Sequence, residues 1–149
     1  MRWSRLKSLV EDLFVPELRL QLHCTGIRED ARKDSSANVA RGIFQVRLGR
    51  EIIWDFPGQF LLEGDDSATD LTGLLREYLD TPKAALLERA FENDRHGLMD
   101  VLRLADRRIG LRRLRKRYGR DERAFISRLL VARGNAVSPD AANRANTGA

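Results

Sequence analysis

Residues 42–56 read GIFQVRLGREIIWDF, two short runs rich in β-branched and aromatic residues that Gly49-Arg50 separates. Runs of this composition predict strands, and a glycine at the first central position is typical of a two-residue type II′ hairpin turn. Apolar residues recur at every second position of each run, so each strand presents one apolar face to a core. These residues are Phe44, Val46 and Leu48 in the first run and Ile52, Trp54 and Phe56 in the second.

The preceding residues supply a third strand and a helix. Residues 17–25 alternate between apolar and polar side chains, which predicts a half-buried strand. Residues 3–14 carry apolar side chains at helical spacing, and Val15-Pro16 ends that helix. Residues 26–38 are highly charged and without periodicity, so we expect an exposed, mobile loop.

The second half of the chain predicts about five helices, because apolar residues recur there three or four positions apart. Thr81-Pro82 supplies an N-cap and a first helical proline for one of them. Asp94 and Asp121 cap two others. The predicted helices cover residues 71–79, 82–91, 95–109, 111–118 and 121–133.

Together these elements predict an α+β fold: an N-terminal helix, a three-stranded antiparallel meander and a C-terminal bundle of about five helices packed on one sheet face. We expect residues 1–134 to form a single α+β domain, with the helix and sheet in 1–64 and the helical half in 65–134. Residues 135–149 are small and polar, which predicts a disordered tail.

Composition excludes several classes of protein. The chain has 149 residues, and 42% of them are hydrophobic, as in a soluble globular domain, but no apolar run is long enough to span a membrane. A single cysteine, Cys24, excludes a disulfide scaffold and favours a reducing, cytoplasmic location. With one cysteine and two histidines, we predict no metal site, and no cofactor-binding motif is present.

The charge of the chain is strongly asymmetric. The formal net charge is +5, yet residues 51–100 hold 12 acidic and 4 basic residues, whereas residues 101–149 hold 13 basic and 4 acidic ones. Residues 103–120 alone carry nine basic residues and one acid, Asp106. On helices, these nine would form a ridge opposite the leucines and could bind an anion. They are Arg103, Arg107, Arg108, Arg112, Arg113, Arg115, Lys116, Arg117 and Arg120.

Two functional hypotheses follow from this asymmetry. The first is a non-catalytic binding protein whose arginine-rich surface takes a polyanionic partner, DNA or RNA. The second is a protein-interaction or self-associating module, in which the basic surface pairs with the acidic 51–100 surface of another chain. The same acids could also neutralise the arginines within one chain. Neither hypothesis involves a membrane.

Other features give weaker signals. Residues 111–133 have the lengths of a helix-turn-helix, but Arg115 falls where such motifs pack a small buried residue. Arg123, Arg128 and Arg133 could face a DNA groove in such a motif, but their pattern is equally that of ordinary surface arginines. Trp54, Phe56 and Phe60 form core under the first helix or, if exposed, a binding patch. No catalytic residue is predicted, since no nucleophile lies beside a base. The residues considered for that role are His23, Cys24, Asp55, Asp94 and His96.

Overall fold

The first part of the chain is a helix followed by an antiparallel sheet. A computed structural model describes residues 3–28, 40–56, 60–61 and 71–136. Strand β2 lies at the centre of the sheet, with β1 on one side and both β3 and β4 on the other. The predicted three-stranded meander is therefore confirmed, with a short extra strand. These elements are α1 (Trp3–Glu11), β1 (Leu20–Arg28), β2 (Ala40–Leu48), β3 (Glu51–Asp55) and β4 (Phe60–Leu61).

The hairpin between β2 and β3 has the predicted two-residue turn. Leu48 pairs with Glu51, and Gly49 has a φ of 63°, which the first central residue of a type II′ turn requires. A bulge then leaves Ile53 without a partner, because Val46 pairs with Trp54 but Arg47 pairs with Ile52. The prediction that Ile52 shares the apolar face is wrong for this reason: its side chain is 48% exposed.

Strand boundaries also differ from the prediction. Residues Pro16–Leu18 form a 3-10 turn, so β1 begins at Leu20 and continues to Arg28. Residues 26–28, predicted as loop, therefore belong to this strand, because they pair with β2 from Ala40 to Gly42. The rest of the predicted loop lies outside the described residues.

The described part of the second half contains four α-helices. They are α2 (Leu71–Asp80), α3 (Leu98–Ala105), α4 (Leu111–Tyr118) and α5 (Ala124–Asn135). Helices α2, α4 and α5 begin and end within about three residues of the predicted positions, α3 is shorter, and residues 82–91 contain a 3-10 turn at Lys83–Ala85 instead of an α-helix. The carbonyl of Leu86 accepts a hydrogen bond from Arg103 (2.7 Å), so it does not serve a following turn of helix. Thr81 donates its hydroxyl to the Glu77 carbonyl of the preceding helix instead of capping a new one.

Helix α3 is shorter than predicted at both ends. Asp94 caps it as expected, since its carboxylate accepts hydrogen bonds from the amides of Leu98 (3.0 Å) and Met99 (2.9 Å). At the other end, Arg107 donates its amide to the Leu13 carbonyl (2.8 Å), and this contact with the chain after α1 replaces further helix.

Helix α5 differs in a similar way. It begins at Ala124 without a side-chain cap and ends at Asn135, one residue into the predicted tail. The predicted capping residue, Asp121, lies before the helix, where its carboxylate binds Arg123. The remaining tail residues, 137–149, lie outside the described part of the chain.

The hydrophobic core lies between the inner face of the sheet and the helices. Trp3, Phe44, Trp54 and Phe56 form a chain of edge-to-face ring contacts, with centroids 5.8–6.0 Å apart. Trp54 and Phe56 are buried, so the aromatic cluster is core, as its position under α1 predicts. The side chain of Phe60 lies outside the described residues.

Candidate anion-binding surface

Helix α4 carries the densest group of exposed positive charges among the described residues. Its sequence is LRRLRKRY, and only Leu114 and Tyr118 are buried. Spaced four residues apart, these two form the inner face, as helical periodicity predicts. Gly119 ends the helix, and a Cβ at this position would collide with the carbonyl oxygen of Arg115. The faces of α4 that point away from Leu114 and Tyr118 present five basic side chains to solvent.

Helical geometry sets how these five charges are distributed. Arg112 and Lys116 lie one turn apart, opposite the buried Leu114. Arg113 and Arg117 form a second pair along one flank, and Arg115 lies on the other flank. Two further basic residues are exposed just before and just after the helix. We call the whole group the α4 surface: Arg107, Arg112, Arg113, Arg115, Lys116, Arg117 and Arg120.

The charges of the α4 surface are not neutralised by any carboxylate that the structure describes: none of its seven members forms an ion pair there. Of the nine predicted basic residues, only Arg103 pairs with an acid from 51–100, which is Asp100. Like charges one turn apart are mutually unfavourable, and an anion bound between them would relieve that repulsion.

Arg103 and Arg108 bind groups within the chain instead: Arg103 is buried and Arg108 is half-buried. Arg103 is 4% exposed; its guanidinium donates to the carbonyls of Leu86 and Arg89 and to Asp100. Arg108 forms a two-pronged ion pair with Asp106, which is 0% exposed. The hydrogen bond to Asp106 raises the pKa of Arg108. Both side chains are therefore occupied, and seven of the nine predicted basic residues remain exposed.

Arg123, which precedes α5, and the two arginines within α5 are occupied as well. Arg123 pairs with Asp121 and Asp100, and Arg128 pairs with Glu51 of β3 at 2.9 Å. Arg133 is buried and donates to three backbone carbonyls: those of Leu104, Asp106 and Ile109. Burial lowers the pKa of Arg133.

The inner side of α4 is fixed by Tyr118. Its hydroxyl donates a hydrogen bond to Asp100 of α3 at 2.7 Å. Burial, followed by the hydrogen bond and charge of Asp100, raises the pKa of Tyr118 to about 12. Sequence reasoning missed Asp100 as the residue that holds α4, although an acid within the apolar run LMDVLRLA of α3 was a usable signal.

Tyrosine ionisation provides a direct test of this anchoring. The chain has only two tyrosines; burial, and then the charge and hydrogen bond of Asp106, also raise the pKa of Tyr78. We expect almost no tyrosinate absorbance from the folded protein as the pH passes the ordinary tyrosine pKa of 10.0, whereas the denatured chain ionises both residues there. Because the folded pKa values are raised, the stabilisation is fully present below pH 10 and is lost as the pH rises through about 12. A folded protein that titrates with a midpoint near 10 would contradict the structure.

The residues considered for catalysis do not form a described reaction centre. Burial, partly offset by the charge of Lys7, raises the pKa of the Cys24 thiol, which makes it a poor nucleophile. Asp94 caps α3, Asp55 is exposed, and the ring of His96 packs edge-on against Phe56. In the described ranges, no group of three His, Cys, Asp or Glu residues could hold a metal ion.

Comparisons with known proteins add no functional information. The chain matches no family model, no curated protein and no solved structure. Among the helices described here, none is long and apolar enough to cross a membrane. A functional assignment therefore depends on the charge and geometry of the chain itself.

Proposed function

We propose that this protein binds a polyanion, a nucleic acid, through the α4 surface, and that it does so without catalysis. The observation that carries the proposal is an eight-residue helix with five exposed basic side chains, none of which forms an ion pair with a described carboxylate. Each phosphate that such a surface neutralises releases counterions and strengthens binding. The lone cysteine suits a reducing compartment, so a cytoplasmic location is part of the proposal.

Self-association through the acidic 51–100 surface is the competing proposal. Three of its acids, Glu51, Glu77 and Asp100, already pair with arginines of the same chain. That pairing leaves less negative charge to attract a second copy, and it favours an external polyanion as the partner of the α4 surface.

The test is a double substitution on the outer face of α4. In R112Q/K116Q, two exposed charges are removed, so we expect weaker binding to a labelled nucleic acid and a salt-dependence slope that is smaller in magnitude by about 2. The matched control, K83Q/R95Q, removes the same charge from exposed positions elsewhere and should leave the slope unchanged. Because all four side chains are exposed, denaturant unfolding of both variants should match the parent within about 0.5 kcal/mol.

Three outcomes would overturn the proposal: no binding at low salt, binding that does not weaken as salt rises, or equal losses in the two variants. The molecular mass in solution at low and high salt tests the competing proposal. A monomer under both conditions excludes self-association, whereas an oligomer that dissociates with salt and in R112Q/K116Q supports it.

A further inference from the structure

We infer that the nucleic acid bound by the α4 surface is a double helix, held through its phosphates and without stacked bases. This inference rests on the proposed function and specifies its ligand. It follows from three observations. Arginines cover two aromatic rings near α4, the helix that carries the basic side chains is held in place by buried contacts, and α4 has no asparagine or glutamine.

Arginines cover the aromatic rings closest to α4. The Arg117 guanidinium lies over the ring of Tyr118, 5.6 Å from its centroid, and Arg123 lies over Phe125 at 5.2 Å. No Phe, Trp or Tyr with described burial is in the exposed class: Trp3 and Phe125 are half-buried, and the exposed His96 ring packs edge-on against Phe56. Proteins that bind single strands without sequence preference usually stack bases on exposed aromatic rings. The described part of the chain offers no fully exposed Phe, Trp or Tyr ring, so a single strand would gain little from stacking there.

The basic side chains of α4 stand on a rigid, convex element. Leu114 and Tyr118 are buried, and the Tyr118 hydroxyl is bound to Asp100, so the helix from which the outer basic side chains project is fixed relative to α3. A helix with its side chains is about 10–12 Å wide, similar to the major groove of B-form DNA. Cations that project from a fixed helix match the regularly spaced phosphates of a double helix better than those of a flexible strand.

Charge density favours the double helix quantitatively. Each neutralised phosphate contributes about 0.9 to the salt-dependence slope on duplex DNA but about 0.7 on a single strand. Suppose that four side chains of the α4 surface contact phosphates and that duplex and single strand bind equally tightly near 1 M salt. The difference in slope then makes the duplex bind about six-fold more tightly than the strand at 0.1 M salt.

The exposed α4 side chains are all arginine or lysine, without asparagine or glutamine. Asparagine and glutamine read adenine through paired hydrogen bonds, whereas arginine and lysine read guanine. We therefore expect no preference among duplexes that contain the same number of G·C pairs.

The experiment compares a short DNA duplex, each of its separated strands and a second duplex of unrelated sequence but equal G·C content, with the whole 149-residue chain and anisotropy as the readout. We expect both duplexes to bind equally and about six-fold more tightly than the strands, and R112Q/K116Q to reduce this difference while K83Q/R95Q preserves it. Strands that bind as tightly as the duplex, or one duplex preferred more than about ten-fold, would overturn the inference and leave the proposed function standing. If none of the four probes binds, the proposed function itself is overturned.

Discussion

Substitution of Asp106 with alanine is expected to lower the free energy of unfolding by about 3 kcal/mol. The carboxylate of Asp106 is 0% exposed, accepts the Tyr78 hydroxyl at 2.6 Å and binds the Arg108 guanidinium at 2.7 Å. Alanine would leave both donors without their acceptor. Breaking a buried ion pair from one side costs about 3–5 kcal/mol, and the partial exposure of Arg108 places the effect at the lower end.

The chain contains a matched control for this prediction. Asp121 and Arg123 repeat the geometry of Asp106 and Arg108, including a 2.7 Å contact from Nη2 to Oδ2. Arg123 is exposed, however, and an exposed pair is worth about 0–1 kcal/mol. The bond from Arg123 lowers the pKa of Asp121, so this smaller contribution is present above the unfolded pKa and is lost as the pH falls.

Denaturant unfolding of D106A, D106N and D121A should therefore give a large loss, an intermediate loss and a small loss. The amide oxygen of D106N can still accept the hydrogen bond from Tyr78, so this variant provides the test if D106A does not fold. Equal losses for D106A and D121A would show that burial does not strengthen the contribution of this pair.

Arg133 is the second position where we expect a large effect. Its guanidinium donates to the carbonyls of Leu104 (2.9 Å), Asp106 (3.0 Å) and Ile109 (2.6 Å), and thereby joins α5 to the end of α3. The carbonyls of Leu104 and Asp106 lie at the C-terminal end of α3, where the helix dipole favours a cation. R133M fills a similar volume but donates no hydrogen bond, so we expect it to lower the free energy of unfolding by about 3–4 kcal/mol.

The control for Arg133 lies on the same helix. Arg128 is exposed and pairs with Glu51, also exposed, so R128M should cost at most about 1 kcal/mol. R133K retains the charge but cannot place its single ammonium at all three carbonyls, and should give an intermediate loss. If R133M and R128M unfold at the same denaturant concentration, the three carbonyls are satisfied without Arg133.

Much of the fold could be predicted because it depends on local patterns. Alternation and the glycine turn predicted the β2–β3 hairpin, and the leucine spacing predicted α4 with its correct bounds. The failures have a common origin in distant contacts. In residues 82–91, predicted as a helix, the Leu86 carbonyl is bound by Arg103, which lies 17 residues away, and Ile52 is exposed because a bulge shifts the pairing of β3.

The sequence by itself determined the α+β class, the inner face of α4 and the segment in which positive charge collects. Only the tertiary structure decided which arginines remain exposed. Arg103, Arg112 and Arg133 all lie on helices and have the same local chemistry, yet only Arg112 is exposed. The other two are buried and bind carbonyls 14 to 29 residues away, and helical periodicity contains no information about contacts at that separation.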